Sequence, residues 1–317
     1  MSDFWKQFHN DNPAYVLAPL AGISDSAFRQ MCKQFGADIL YSEMVSATAL
    51  FYSGKKTIEL MNFDCKEGVY IIQLFGNETE HFKVAIEFII KNIKPAGIDI
   101  NFGCPVTKVI KQGAGITLFQ DLKQARAVIK ATLEATDLPV SIKTRSQVED
   151  VDVLKFLDNI SDLDVSAIMI HGRAGNAGFS GPVDAKIIKK ARNYFGGKII
   201  ANGGVYNRND AQDLLNKSEA DGVAIGQGAF GRPWIFEEIK IKNTKPKTKA
   251  FIFDIALKHA ELAYKLKGEQ GIIEMRKHLS WYVKGLTGAK KLRERLIRVN
   301  TLDNIREIFF DKQCFLR

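Results

Sequence analysis

The chain has 317 residues, of which 46% are hydrophobic, and its formal net charge at neutral pH is +9. This length suits one barrel-sized domain with a smaller appended domain. No apolar run approaches the ~20 residues that a membrane-spanning helix needs, and the amino terminus lacks the basic and then apolar pattern of a signal peptide, so we expect a cytoplasmic protein without membrane contact.

Short apolar runs alternate with longer amphipathic runs over the first 240 residues. The apolar runs predict strands over residues 15–18, 39–42, 69–75, 98–101, 140–143, 167–171, 198–201 and 222–225. Helices are predicted between them, over residues 79–92, 122–135, 150–159, 185–194 and 208–216. Eight strand–helix units in roughly 230 residues predict an α/β fold of the (β/α)8 TIM-barrel type. A doubly wound open sheet is the alternative, and it is disfavoured because no G-x-G-x-x-G follows the first strand.

The end of the chain predicts a second, all-α domain. A polar, proline-broken segment at residues 243–249 reads as a linker, so we place a barrel domain at residues 1–242 and a small helical bundle at residues 243–317. Ile272, Met275, Leu279, Tyr282 and Leu286 form an apolar helix face. Residues 241–317 contain 18 Lys and Arg against 8 Asp and Glu, whereas residues 1–240 are nearly neutral. This charge favours a nucleic-acid partner, although a merely solvated basic surface gives the same composition.

The run Asn101-Phe102-Gly103-Cys104-Pro105 places a cysteine where a buried strand ends and a loop begins. A buried cysteine is usually inert packing, but chemistry in a parallel barrel is done at the carboxyl ends of its strands. The four cysteines, Cys32, Cys65, Cys104 and Cys314, show neither a C-x-x-C pair nor zinc-like spacing, so we expect reduced thiols and no metal.

Other predicted strand ends would deliver polar side chains to the same pocket. They carry an amide, a lysine, a histidine and two arginines, namely Gln73, Lys143, His171, Arg145 and Arg173. Glycines follow the seventh and eighth strands, at Gly203-Gly204 and at Gly226-Gln227-Gly228, as in TIM-barrel phosphate sites. A lysine and a histidine facing a phosphate pocket suit FMN. Alternatives are a Schiff-base lysine of the aldolase type or a surface lysine, and a satisfied core histidine.

Taken in chain order, these segments resemble the signature motifs of the tRNA-dihydrouridine synthases, most closely those of the bacterial branch. The resemblance covers about residues 13 to 300. It rests on Ala18-Pro19-Leu20-Ala21-Gly22, Gln73-Leu74-Phe75-Gly76, Asn101-Phe102-Gly103-Cys104-Pro105-Val106-Thr107-Lys108, Ser141-Ile142-Lys143-Thr144-Arg145, His171-Gly172-Arg173, Asn202-Gly203-Gly204, Gly226-Gln227-Gly228-Ala229-Phe230-Gly231-Arg232-Pro233-Trp234 and Met275-Arg276-Lys277-His278-Leu279.

The resemblance implies an FMN-binding barrel followed by a helical tRNA-binding domain. It implies reduction of the C5–C6 double bond of particular uridines in the D-loop region of tRNA, with NADPH as electron donor. Hydride would pass from flavin N5 to C6, and Cys104 would protonate C5. FMN would be held tightly by Pro19, Leu20, Ala21, Gln73, Lys143, His171, Asn202, Gly203, Gly204, Gly226 and Gln227. We assign substrate binding to Asn101, Arg145, Arg173, Arg276 and Lys277, and expect a monomer to suffice.

Two other functions remain open at this stage. An FMN-dependent dehydrogenase of the dihydropyrimidine or dihydroorotate type would share the lysine and the phosphate loops, but it gives the basic helical tail no obvious role. A non-catalytic tRNA-binding protein would explain the tail, but it gives the cysteine and the glycine loops no role.

Overall fold

A computed structural model describes residues 3–242 and 244–310 of the chain. Its strands are β1 (Ala14–Leu17), β2 (Ile39–Ser46), β3 (Val69–Phe75), β4 (Gly97–Asn101), β5 (Val140–Arg145), β6 (Gln147–Val148), β7 (Val151–Asp152), β8 (Ala167–His171), β9 (Lys198–Asn202) and β10 (Gly222–Ile225). Eight of these close into a parallel barrel in the order β1-β2-β3-β4-β5-β8-β9-β10, with β10 pairing back to β1. The predicted TIM barrel is therefore confirmed.

The α-helices of the described residues fall into a barrel set and a set beyond the barrel. The barrel set comprises α1 (Ser26–Gln34), α2 (Ala47–Phe51), α3 (Lys55–Glu59), α4 (Thr79–Asn92), α5 (Thr107–Ile110), α6 (Ile116–Gln120), α7 (Leu122–Glu134), α8 (Val153–Asn159), α9 (Ala185–Ala191), α10 (Arg208–Ser218) and α11 (Ile235–Lys240). Beyond it lie α12 (Lys249–Lys267), α13 (Glu269–Tyr282), α14 (Ala289–Leu296) and α15 (Leu302–Phe310).

The strands formed where apolar runs were predicted because barrel strands are covered on both sides. All residues of β4, β8 and β10 are buried, which is why these strands read as continuous apolar runs. A small hairpin, β6 and β7, was not predicted, and it takes the start of the helix expected at residue 150. That helix begins instead at Val153, where the Asp152 side chain accepts from the Lys155 amide at 2.8 Å and caps the first turn.

The barrel interior has its own core, and its amino-terminal end is closed by a short 3-10 helix, Phe4–Gln7. Trp5 is almost fully buried there and packs with apolar side chains of β1, β2 and β8. Apolar side chains thus fill this end of the barrel, whereas a cavity opens at the carboxyl ends of the strands.

The helices beyond the barrel share a separate apolar cluster. The predicted face on α13 is buried as expected at Ile272, Met275 and Leu279, but the helix ends at Tyr282 and leaves Leu286 in the following turn. Ala27 and Met31 of α1 join this cluster, so the helical region packs directly on the barrel. The proposed domain boundary stays a prediction, and residues 243 and 311–317, with Cys314, lie outside the described residues.

Candidate active site

The loops at the carboxyl ends of the barrel strands surround a cavity of about 390 Å³. Loops after β1, β4, β5, β8, β9 and β10 all contribute to its lining. The predicted site residues that line it are Pro19, Leu20, Ala21, Asn101, Cys104, Lys143, Arg145, His171, Arg173, Asn202, Gly203, Gly204, Gly226 and Gln227. The fold thus brings together residues that are up to 208 positions apart in the printed sequence.

The Cys104 loop is held by a chain of buried hydrogen bonds. The side-chain oxygen of Asn101 accepts from the amides of Gly103 at 3.1 Å and Cys104 at 2.9 Å. Asn101 in turn donates to Gln73 at 2.9 Å, and Gln73 donates to Asp99 at 2.6 Å. The carboxylate can only accept when ionised, so it orients the Gln73 amide, which then orients Asn101 toward the loop.

Burial controls the proton affinity of this network. It raises the pKa of Asp99 to about 6, although hydrogen bonds from Ser141 and Gln73 oppose the shift. Burial also raises the pKa of the Cys104 thiol, against the amide of Val106 and the positive charges of Lys143 and Arg145. Cys104 is 9% exposed. The thiol therefore keeps its proton at neutral pH while one edge faces the cavity.

Lys143 lies near the carboxyl end of β5 and lines the cavity. In the part of the chain that the structure describes, its ammonium makes no hydrogen bond or ion pair with another side chain. Burial and the neighbouring charge of Arg145 lower the pKa of Lys143 to about 8. An unpaired, partly dehydrated ammonium favours an acceptor or an anion from a ligand.

The two arginines and the histidine line the cavity beside Lys143, at the carboxyl ends of the paired strands β5 and β8. Arg145 is buried and donates to the carbonyl of Gly103 at 3.2 Å and to that of Gly178 at 2.7 Å, so it ties the Cys104 loop to the loop after β8. Arg173 lies 3.4 Å from Nε2 of His171. Burial and the charges of Lys143, Arg145 and Arg173 lower the pKa of His171 to about 2. His171 is therefore neutral and can both donate and accept.

The glycines after β9 and β10 form a main-chain cradle. Gly203 and Gly204 have φ angles of +117° and +70°, and a Cβ on Gly203 would lie 2.9 Å from the His171 ring. Among the described residues, the amides of Gly204 and Gly226 donate to no main-chain carbonyl. Free amides on glycine-rich loops at this end of a barrel suit a phosphate group. Gln227 flanks the cradle, and its side-chain oxygen accepts from the Tyr206 hydroxyl at 3.0 Å.

Three of the predicted site residues do not line the cavity. Gln73 is fully buried beneath it, and both ends of its amide are engaged by Asp99 and Asn101. Arg276 donates to the carbonyl of Val299 and to Asn300. Lys277 donates to the carbonyl of Gly22. The ligand contacts assigned to these three residues stay predictions, and the structure gives each of them an intramolecular partner.

Sequence reasoning missed two residues that bear on the site. Asp99 could have been found, because an acidic residue inside the apolar run of β4 is itself unusual. Phe179 is 63% exposed and its ring centroid lies 6.2 Å from that of His171. A large apolar side chain exposed at a cavity mouth offers a stacking surface. Only the fold of the loop after β8 reveals its position.

A larger cleft of about 730 Å³ adjoins the cavity at the contact between the barrel and the helical region. Its lining includes the stacked rings of Phe230 and Trp281, whose centroids lie 4.2 Å apart. Its lining includes none of Cys104, Lys143 and His171, so we take the smaller cavity as the candidate reaction site.

Over residues 3–242 and 244–310, no helix is long and apolar enough to cross a membrane. Within the same ranges, no cluster of His, Cys, Asp and Glu is suited to hold a metal ion.

The fold and the cavity define an α/β-barrel protein with a candidate active site at the carboxyl ends of its strands. Solved structures with this fold include the old yellow enzyme from Trypanosoma cruzi, with a TM-score of 0.53 and 12% identity over 74% of this chain and 90% of that chain. The old yellow enzyme homologue from Zymomonas mobilis has a TM-score of 0.52 and 12% identity over 76% and 92% of the two chains. At such identity the likeness shows the fold alone.

Sequence comparison shows the family. The model of the dihydrouridine synthase (Dus) family matches residues 16–317. Similar proteins include a probable tRNA-dihydrouridine synthase of Aquifex aeolicus, 32% identical over 92% of this chain and 93% of that protein. Another is tRNA-dihydrouridine synthase B of Shewanella oneidensis, 31% identical over 84% and 85% of the two chains. The chain therefore belongs to the dihydrouridine synthase family, which confirms the predicted family and its class, the flavin-dependent oxidoreductases.

Proposed function

We propose that this protein reduces the C5–C6 double bond of uridines in tRNA, with FMN as its flavin and NADPH as electron donor. The observation that carries the proposal is one cavity that is lined by a buried thiol, an unpaired lysine and a glycine cradle, in a chain of this family. A small-molecule dehydrogenase would need the same cavity, but the net charge of the chain's last quarter favours a polyanionic substrate.

The cavity residues fit FMN on two counts. The free amides of Gly204 and Gly226 suit its phosphate, and the loop passes so close to the His171 ring that a Cβ at Gly203 would clash with it. Lys143 would supply positive charge to the ring system, which stabilises the reduced anionic flavin. When bound, FMN supplies the hydride that NADPH delivers to it.

Cys104 would supply the proton. Reduction of a C5–C6 double bond needs a hydride at C6 and a proton at C5, and a thiol that is protonated at neutral pH can donate one. The raised pKa of Cys104 keeps that proton on the thiol until the uracil ring accepts hydride. The thiolate left behind is stabilised by the charges of Lys143 and Arg145 and then regains a proton from water.

The remaining polar groups would orient the uracil. His171 and Asn101 both line the cavity, and a uracil edge can hydrogen-bond neutral His171 and the one side-chain N–H of Asn101 that does not bond Gln73. The exposed ring of Phe179 offers a surface on which a base can stack. Stacking at the cavity mouth would help to offset the few kcal/mol that extrusion of a base from folded RNA costs.

The helical region would bind the RNA backbone. Residues 241–317 carry ten more basic than acidic residues. The resulting field attracts phosphates without sequence preference, and it predicts steep salt dependence of tRNA binding.

Purified protein incubated with NADPH and with tRNA from a strain that lacks dihydrouridine tests the proposal. The tRNA is digested and its nucleosides are read by mass spectrometry. A yellow protein that adds two hydrogens to uridine supports the proposal. A yellow protein that oxidises NADPH and leaves tRNA unchanged would point to a small-molecule dehydrogenase, and a colourless protein that binds tRNA would point to a binding module.

A further inference from the structure

Gly22, in the loop after β1, is held from two sides by charged side chains of different regions. Its amide donates to the carboxylate of Glu43 at the end of the barrel. Its carbonyl accepts from the ammonium of Lys277 on α13. Gly22 has a φ of +70°, a conformation that favours glycine. The amide and the carbonyl of Gly22 are thus hydrogen-bonded to a carboxylate of the barrel and to an ammonium of the helical region, respectively.

The carboxylate of Glu43 and the ammonium of Lys277 also interact electrostatically. Glu43 is buried, which raises its pKa, while the amide of Gly22 and the charges of Lys267 and Lys277 oppose that rise. Hydrogen bonds that involve a charged group are about twice as strong as neutral ones. The two hydrogen bonds that hold Gly22 are therefore stronger than hydrogen bonds between neutral groups of a loop.

The loop that Gly22 belongs to forms one wall of the reaction cavity. Pro19, Leu20 and Ala21 line that wall directly. Inside the loop, the Ser24 hydroxyl accepts from the Leu20 amide at 3.0 Å, and the Ser24 amide donates to the Leu20 carbonyl at 2.9 Å. Because these bonds make the turn a single unit, its position depends on the anchor at Gly22.

A second lysine of the helical region reaches the same part of the barrel. Lys267, at the end of α12, forms an ion pair with Asp25 at 2.8 Å. Asp25 caps α1 by accepting from the Phe28 amide at 2.9 Å. Both long helices of the helical region therefore contact the segment that joins β1 to α1 through a lysine, Lys267 of α12 and Lys277 of α13.

We propose that Lys277 and Glu43 are positioning residues that act through Gly22 to set the β1 loop against the flavin. In this role Lys277 belongs to the flavin side of the enzyme and not to its RNA-binding surface. The flavin part of the inference rests on the proposed function. The helical region would then have two tasks, of which one is to hold the cavity wall.

Lys284, which follows α13, provides a matched comparison. It is exposed, and within the described residues its side chain makes no hydrogen bond or ion pair. Lys277→Met removes the donor and keeps a stem of similar length, Lys277→Arg restores a cationic donor, and Lys284→Met removes a lysine that does not touch the loop. A role in RNA binding alone would give the two methionine variants the same phenotype.

Two measurements without tRNA test the inference on the full-length protein. The first is hydrogen–deuterium exchange of the peptide that covers residues 19–28. The second is the dissociation constant of FMN, followed by flavin fluorescence. We expect Lys277→Met to exchange faster in this peptide and to bind FMN about tenfold more weakly, a change of about 1.4 kcal/mol. Lys277→Arg should restore both properties, and Lys284→Met should leave both unchanged.

The outcomes separate this inference from the proposed function. Unchanged exchange in Lys277→Met shows that Lys277 does not hold the β1 loop and overturns the inference, whatever the KM of this variant for tRNA. Faster exchange with unchanged FMN affinity overturns the positioning role. A wild-type protein that binds no FMN contradicts the proposed function, while the exchange measurement still decides whether Lys277 holds the loop.

Discussion

Asn101 holds the Cys104 loop, so its replacement by alanine should release that loop. Its side-chain oxygen accepts from two amides, of Gly103 and Cys104, and its nitrogen donates to Gln73. Removing the partner of a buried polar group costs about 1–3 kcal/mol per group. With three groups orphaned and water able to enter from the cavity, we expect Asn101→Ala to lower the free energy of unfolding by about 3 kcal/mol.

Urea unfolding followed by circular dichroism measures this loss, and alkylation of Cys104 by iodoacetamide under native conditions reports on the loop. The alkylation rate should rise because the thiol becomes more exposed. Asn92→Ala is the matched control, since Asn92 is exposed and, among residues 3–242 and 244–310, its side chain makes one hydrogen bond, to the Phe88 carbonyl. If Asn101→Ala loses no more stability than Asn92→Ala and the thiol reacts at the wild-type rate, the hydrogen-bond chain does not hold the loop.

Three further predictions follow from the charges and the backbone. The pKa of Lys143 is about 8, so its charge is lost as the pH rises from 7 to 9. The rate of flavin reduction by NADPH should therefore fall over that range, and Lys143→Arg should move the fall to higher pH. A rate that does not change with pH would contradict this role of Lys143. Burial lowers the pKa of His259 from 6.5 to about 4, so below pH 6.5 the unfolded chain takes up a proton that the folded chain does not. The free energy of unfolding should therefore decrease on acidification, and His259 alone should contribute ~2 kcal/mol of this decrease at pH 5. In urea unfolding, His259→Gln should lose less stability than wild type between pH 7 and pH 5. Equal losses would refute the assignment. Gly203→Ala places a Cβ 2.9 Å from the His171 ring at a φ of +117°, so it should weaken FMN binding at least tenfold by fluorescence titration, and wild-type affinity would show that the cradle is not the phosphate site.

The barrel could be predicted from the sequence because its strands are buried on both faces. Such strands read as apolar runs, and β3, β8 and β10 begin and end where the pattern predicts. The hairpin at Gln147–Asp152 could not be predicted this way, because two-residue strands are shorter than any periodic signal. The sequence placed a helix start there, and only the capping contact of Asp152 shows where the helix begins.

The chemistry-bearing residues were predictable for a different reason. Parallel strands converge at their carboxyl ends, so Cys104, Lys143 and His171 had to meet once the barrel was recognised. The partner of Lys277 was not predictable, because the sequence pattern of a basic residue on a helix face is the same whether water or another loop covers it. Its contact with Gly22 joins residues 255 positions apart. The partners of the Gln73 amide, Asp99 and Asn101, were not predictable either, since they depend on tertiary neighbours.

The central claim is that Cys104 protonates the reduced uridine. Single-turnover reduction of tRNA by the FMN-loaded, pre-reduced enzyme tests this claim, and mass spectrometry quantifies the dihydrouridine that forms. Wild type is compared with Cys104→Ala and with the control Cys65→Ala, which alters an exposed cysteine. The account predicts that Cys104→Ala retains FMN but loses most of its turnover, while Cys65→Ala behaves as wild type. Equal rates in the two variants would contradict the assignment of Cys104 as the proton donor.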